Sequence, residues 1–118
     1  ELGRRLAPLR DEGVMIAGSG DVVHNLRAIR RDGGAAPFDW AQRFNDRVRT
    51  AIAAGDHQPL IDWEGLGEDA RLSIPTEEHW LPLLYVLGAR RDDDRAEFFN
   101  DHIDLGAISM LGVTLSAA

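Results

Sequence analysis

Leu2, Leu6 and Leu9 recur at helical spacing, with arginines on the other side, so the chain opens with a short amphipathic helix. Pro8 kinks or shortens it, and Gly13 supplies a stop. The run Val14-Met15-Ile16-Ala17 is continuously apolar and flanked by glycines, the pattern of a strand buried on both faces. A loop, Gly18-Ser19-Gly20-Asp21-Val22-Val23-His24-Asn25-Leu26-Arg27, leads from it toward a short helix, and Asp32-Gly33-Gly34-Ala35-Ala36-Pro37 is a turn cluster. Asp39 is placed to cap a helix over 40–54, where Trp40, Phe44, Val48 and Ile52 repeat every fourth residue and Gly55 ends the pattern. Leu60, Ile61, Trp63 and Leu66 predict a short helix inside a turn-rich stretch.

From Thr76 to Ala89 the chain is so apolar (Trp80, Leu81, Leu83, Leu84, Tyr85, Val86, Leu87) that a helix there must be buried nearly all round or covered by a partner. A charged turn, Arg90 to Arg95, separates it from two strand segments, 96–104 and 107–116, whose junction near Gly106 predicts an antiparallel pair. Helix, glycine and buried strand in that order are α/β grammar.

Composition narrows the function. The 118 residues fit one domain, and 44% hydrophobic with 28% charged residues is ordinary globular make-up. All 13 basic residues are arginine, and 20 acids leave a net charge of −7. Such a chain is a poor partner for nucleic acid or an anionic membrane, both of which need positive potential. No apolar run approaches the ~20 residues of a membrane helix. The chain contains no cysteine, which removes disulfides and thiolate metal sites. It starts at Glu1 with no leader, and with the acidic surface this is the expectation for a cytoplasmic bacterial protein.

Metal chemistry must therefore rest on histidine and carboxylate. The four histidines are His24, His57, His79 and His102, and no two of them form a short ligand pair. His24 follows the buried strand through a glycine-rich loop, where α/β proteins gather functional groups. A general base or metal ligand and a residue that merely hydrogen-bonds its own loop are both open there. With Thr76 as N-cap, His79 is the third helical residue, and the helix field favours its neutral ring, which a metal requires. Glu77 and Glu78 oppose that by attracting a proton. Spacing alone favours a partly buried histidine at the edge of an apolar helix. His57 lies in a polar turn and His102 on a strand face, and both read as packing or surface residues. Ser19 lacks the nucleophile-elbow pattern, and Gly18-Ser19-Gly20 lacks the rest of a phosphate loop.

Three blocks stand out together: Gly20-Asp21-Val22-Val23-His24-Asn25-Leu26-Arg27; Pro75-Thr76-Glu77-Glu78-His79-Trp80-Leu81-Pro82-Leu83-Leu84-Tyr85-Val86-Leu87-Gly88-Ala89; and Leu105-Gly106-Ala107-Ile108-Ser109-Met110-Leu111. In this order and spacing the chain resembles the class III extradiol ring-cleavage dioxygenases, in the branch like DOPA 4,5-dioxygenase. The resemblance implies an α/β fold with a central, mostly parallel or mixed sheet flanked by helices, of which residues 1–118 are only the carboxy-terminal half of a catalytic domain. It implies a non-haem Fe(II), sometimes replaced by zinc, that binds both hydroxyls of a catechol while dioxygen opens the ring. By motif, His79 matches a metal ligand. His24 matches the acid/base histidine, close enough to the metal to serve as an extra ligand when substrate is absent.

Members of the family run to about twice this length and draw two further metal histidines from a first half that this chain lacks. The implied partners are a catechol, dioxygen and that amino-terminal half, and the chain alone is expected to be inactive. The competing reading is a non-catalytic remnant acting as a binding or oligomerisation module, with the apolar helix packed on another copy. A related fold that turns the metal pocket to other chemistry is a third.

Overall fold

The computed structural model describes residues 1–32 and 36–118, so part of the turn cluster foreseen at 32–37 lies outside the described residues. Among the described residues, five α-helices (α1 Leu2–Leu6, α2 Asp39–Ala54, α3 Gln58–Ile61, α4 Glu68–Ser73, α5 Leu81–Gly88) and two 3-10 turns (Ala7–Glu12, Trp63–Leu66) precede four strands. The strands are β1 (Asp94–Phe99), β2 (Ile103–Asp104), β3 (Ile108–Ser109) and β4 (Gly112–Ala117). Helices with small antiparallel sheets make an α/β fold, as the sequence implied. Among the described residues no helix is long and apolar enough to cross a membrane.

The core forms around α2. Its predicted stripe buries Phe44, Val48 and Ile52 against Leu60, Ala70, Ile74 and Trp80, while Trp40 is half-buried and stacks on Phe38 at 5.5 Å. Trp80 is fully enclosed: its ring lies 5.7 Å from Phe44, and its Nε1 donates to the Leu60 carbonyl at 3.3 Å. Gly55 ends α2 in the left-handed conformation, as foreseen (φ 72°). Asp39 is the first helical residue rather than the cap; Phe38 holds the cap position, and Asp39 acts through its charge near the helix N-terminus.

The two strand segments pair as a single hairpin whose ladder is broken in the middle. Leu105 (φ 51°) and Gly106 (φ 77°) make the turn, and the Ala107 N–H donates to the Asp104 carbonyl. Phe99 faces Gly112 whereas Ile103 faces Ser109, which leaves three residues on one side against two on the other. Asn100, at φ 50°, absorbs the extra residue.

Two expectations fail. Residues 14–17 do not form a buried strand: only Ile16 is partly covered, and Met15 is 85% exposed. A strand buried on both faces needs a sheet to join and layers packed over that sheet, and none of the described strands pairs with this segment. The apolar helix does not begin at Thr76. Residues 75–80 form bends and turns, Trp80 occupies the cap position, and Pro82 sits in the first turn of α5, where its missing N–H costs nothing. Within α5 only Leu87 is buried, and Leu81 and Tyr85 each remain 40% exposed. Helix α1 covers one side of α5 by glycine-to-glycine contact. A Cβ on Gly88 would meet the Gly3 Cα at 2.8 Å, so neither residue has room for a side chain.

Candidate metal centre

The segment that carries His24 is clamped from two directions. The His24 N–H donates to the Ser73 carbonyl at the end of α4 (2.9 Å), and His24 forms an isolated antiparallel bridge with Ile108 of β3. On either side, Ser109 N–H donates to the Val23 carbonyl, and Asn25 N–H donates to Ala107. The Asn25 side chain donates to the Leu72 carbonyl at 2.9 Å. A buried polar pair braces the far side: Ser109 Oγ donates to Asn45 Oδ1 at 2.6 Å, tying β3 to α2. His24 is therefore held by main chain, and its ring is free to do something else.

His79 arrives from the other direction, on the turn immediately before Trp80. Burial of Trp80 fixes that turn, and the Asp21 N–H donates to the His79 carbonyl at 2.8 Å. Gly20 passes directly over the same carbonyl, where any Cβ would collide with it. The two histidine-bearing segments are thus locked to each other through main chain. Their rings lie 4.6 Å apart at 45°.

His24 is 8% exposed, and among the described residues neither ring nitrogen has a hydrogen-bond partner of good geometry, the Thr76 main chain exerting only the weakest of the pulls on it. An orphaned buried imidazole costs free energy unless a ligand satisfies it. Burial first, and the neighbouring His79 second, hold its pKa below the ordinary value against the opposing pull of Glu78. The ring is thereby kept neutral, with a lone pair to donate.

Glu78 brings a carboxylate to the same place. One donor atom each from His24, Glu78 and His79 lie within 4.8 Å of one another. Thr76 Oγ1 donates to Glu78 at 2.7 Å and holds that carboxyl below its usual range, so it is charged. Two imidazoles and a carboxylate are a donor set for a divalent transition metal, and the unpartnered nitrogens of His24 fit one. Asp21, three residues before His24, is half-buried, and burial pushes it up to about 6.

The structure brings together His24 and His79, the two residues singled out from the sequence. It leaves His102 on the surface, 3.5 Å from Asp104. His57 is half-buried rather than a plain surface residue, with Arg90 Nη1 at 3.4 Å, and burial lowers its pKa. Sequence reasoning weighed Glu78 only as a charge near a helix start. Its place beside His79 was the available signal, but its approach to His24 depends on how the two segments fold together.

Comparison with known proteins bears on this arrangement. A family model described as the catalytic LigB subunit of aromatic ring-opening dioxygenase matches residues 1–115. A "4,5-DOPA dioxygenase extradiol" of Escherichia coli (strain K12) is 42% identical over 118 residues, covering 98% of this chain and 43% of that protein. A protein of the same name from Beta vulgaris is 34% identical over 110 residues, covering 92% of this chain and 40% of its own length. The crystal structure of an uncharacterised Escherichia coli K12 protein superposes with a TM-score of 0.86 at 43% identity, over 95% of this chain and 47% of that one. The chain spans less than half the length of each of these relatives. With a family model matched over nearly all of its length, on a fold that gathers His24, Glu78 and His79 into one cluster, the chain belongs to the LigB family of aromatic ring-opening dioxygenases.

Proposed function

We propose that residues 1–118 are the carboxy-terminal portion of the catalytic domain of an extradiol dioxygenase, which opens a catechol ring of the DOPA type with dioxygen. The observation that carries this reading is the buried, neutral His24 ring, with two unpartnered nitrogens, 4.6 Å from His79. In this reading His79 holds the metal, Fe(II) with zinc able to stand in its place, and His24 is an extra ligand only while substrate is absent. That metal, when bound, supplies Lewis acidity toward the catechol oxygens and a site for dioxygen.

The chain's own groups do the rest. His79, fixed by Trp80 below it, is the permanent donor. His24 is the base that takes the proton of a catechol hydroxyl at a ring nitrogen and returns it during ring opening. Its low pKa keeps it ready to accept that proton near neutral pH. The charged Glu78 carboxylate stabilises the imidazolium once it forms. The remaining donors come from an amino-terminal half corresponding to the length by which the relatives exceed this chain. The acidic chain, devoid of cysteine, is consistent with a cytoplasmic enzyme.

The test is an absorbance assay with L-DOPA and Fe(II). The chain alone is expected to give no yellow ring-opened product, and the chain joined to an amino-terminal half bearing two further histidine motifs is expected to give it. Product from the isolated chain, or none from the joined protein, contradicts the reading. The exposed Leu2, Leu81 and Tyr85, which line one small hollow, favour the second reading, an oligomerisation module. A metal-free homodimer in solution would support it.

A further inference from the structure

Asn45 is the one polar residue among the five that α2 buries, and the proposed chemistry gives it no task. Ala41, Phe44, Val48 and Ile52 share its burial, and an apolar side chain of its size would fill the place without the cost of enclosing an amide. The amide is put to use instead. Its Oδ1 accepts from Ser109 Oγ at 2.6 Å, and its Nδ2 donates to Asp101 Oδ1 at 3.1 Å. Asp101 in turn meets Arg49, one turn further along α2, at 3.0 Å near the surface. Ser109 Oγ also accepts the Leu111 N–H at 3.2 Å, which directs its own proton to Asn45.

That bond settles where β3 lies. β2 and β3 share two residue pairs, too short a ladder to hold its own register, and a slip of one residue turns every side chain of β3 to the other face. Asn45 removes that freedom, because neither neighbour of Ser109, Ile108 or Met110, has a hydroxyl to offer it. β3 in turn sets the chain around His24. Ser109 N–H donates to the Val23 carbonyl at 2.9 Å, Ile108 forms the antiparallel bridge to His24, and Asn25 N–H donates to the Ala107 carbonyl at 3.1 Å. The ion pair that ties the other clamp, α4, to α2 joins Arg43 and Asp69 at 2.8 Å in contact with solvent, where such pairs hold little. The Asn45–Ser109 bond is enclosed.

We infer that Asn45 is a positioning residue for His24: acting through Ser109, it fixes the register of β3 and with it the place of the His24 ring against His79. The inference rests on the proposed function, in which His24 must reach both the substrate proton and the metal held by His79. The tolerance is small. A one-residue slip moves a strand by ~3.3 Å, most of the 4.6 Å that separates the two rings. An enclosed polar pair adds little net stability over apolar side chains of the same shape, so what it contributes here is one arrangement out of several.

The test replaces both partners at once in the metal-free chain. In Asn45→Leu/Ser109→Ala neither member of the pair is left without the other, and Asp101 keeps Arg49. The variant is expected to unfold cooperatively with the Trp80 indole resonance unmoved, and Ser109→Ala alone takes its place if it does not fold. The change is expected at His24: the nuclear Overhauser contact between its ring and that of His79, present in the native chain, is lost. Zinc affinity falls by about tenfold. In a His24→Leu background the same substitutions leave zinc affinity within about twofold, because their effect passes through His24. A ring contact that survives in the variant overturns the inference and leaves the proposed function standing. So does an equal fall in zinc affinity with and without His24, the mark of a general structural role. Zinc that perturbs neither His24 nor His79 in the native chain overturns the metal centre of the proposed function, and the contact between the rings still decides the inference.

Discussion

The packing around Trp80 and the groove between residues 15–18 and β4 lie on opposite sides of the same turn and differ in one respect. Around Trp80 every apolar residue of the α2 stripe finds its partner within this chain, and the indole even finds an acceptor for its N–H. Along the groove, an equally apolar run, residues 14–17, finds no strand to pair with among the described residues and only Ile16 is partly covered. The first region shows where the chain is self-sufficient. The second shows where an apolar run is left largely uncovered by the described residues. The histidines sit at the junction, with Trp80 holding His79 from the closed side and residues 18–21 leading into His24 from the open side.

This contrast breaks first if Trp80 is not the keystone. Trp80→Ala should destabilise the chain by about 3–5 kcal/mol, because the site lies between α2 and the α3 turn and cannot collapse. Denaturant unfolding measures it, and the same variant should weaken metal binding through displacement of His79.

The next largest effect is at the partner of Arg10, which anchors the chain just before residues 14–17. The side chain of Asp94 has no exposed surface and pairs with Arg10 at 2.6 Å. Asp94→Ala should cost roughly 2–4 kcal/mol by leaving the guanidinium unpaired. The Arg10 partner lowers the Asp94 pKa from 3.8 to about 2. The pair's contribution is therefore complete above pH 3.8 and lost as pH falls to about 2. The difference in thermal midpoint between the native chain and Asp94→Ala should shrink across that window and stay constant from pH 5 to 7.

His24→Leu sharpens the comparison in the opposite sense. It removes two unpartnered buried nitrogens, so the metal-free chain should be unchanged or more stable by up to about 1 kcal/mol. Metal affinity should fall by about tenfold or more, read by calorimetry. Smallest of all, Met15→Lys should alter the stability of the isolated chain by no more than about 0.5 kcal/mol, since Met15 is 85% exposed. A large loss there would mean that residues 14–17 are already packed in solution.

Local patterning made much of this legible before the structure. The four-residue repeat of α2, the Gly55 stop and the hairpin about Gly106 are each set by contacts close in sequence, or by backbone conformations that particular residues require. His24 and His79 were legible through their flanking motifs, and the fold brings them together. The start of α5 was not: Thr76 looked like a cap, but its hydroxyl turns to Glu78, and Trp80 begins the helix instead. Nor was the fate of residues 14–17 legible. Apolar periodicity tells that a segment wants burial, never which polypeptide supplies it. The approach of Glu78 to His24 stayed hidden for a related reason, since they lie 54 positions apart and it takes the α4 and β3 clamps together with the Asp21–His79 main-chain bond to make them neighbours.

The most direct measurement is a titration of the metal-free chain with Zn(II), followed by the ring resonances of all four histidines. Saturable shifts at His24 and His79, with His57 and His102 unmoved, and loss of binding in His79→Ala are the predicted result. Binding that persists in His79→Ala, or shifts confined to His57 and His102, would contradict the assignment of the metal centre.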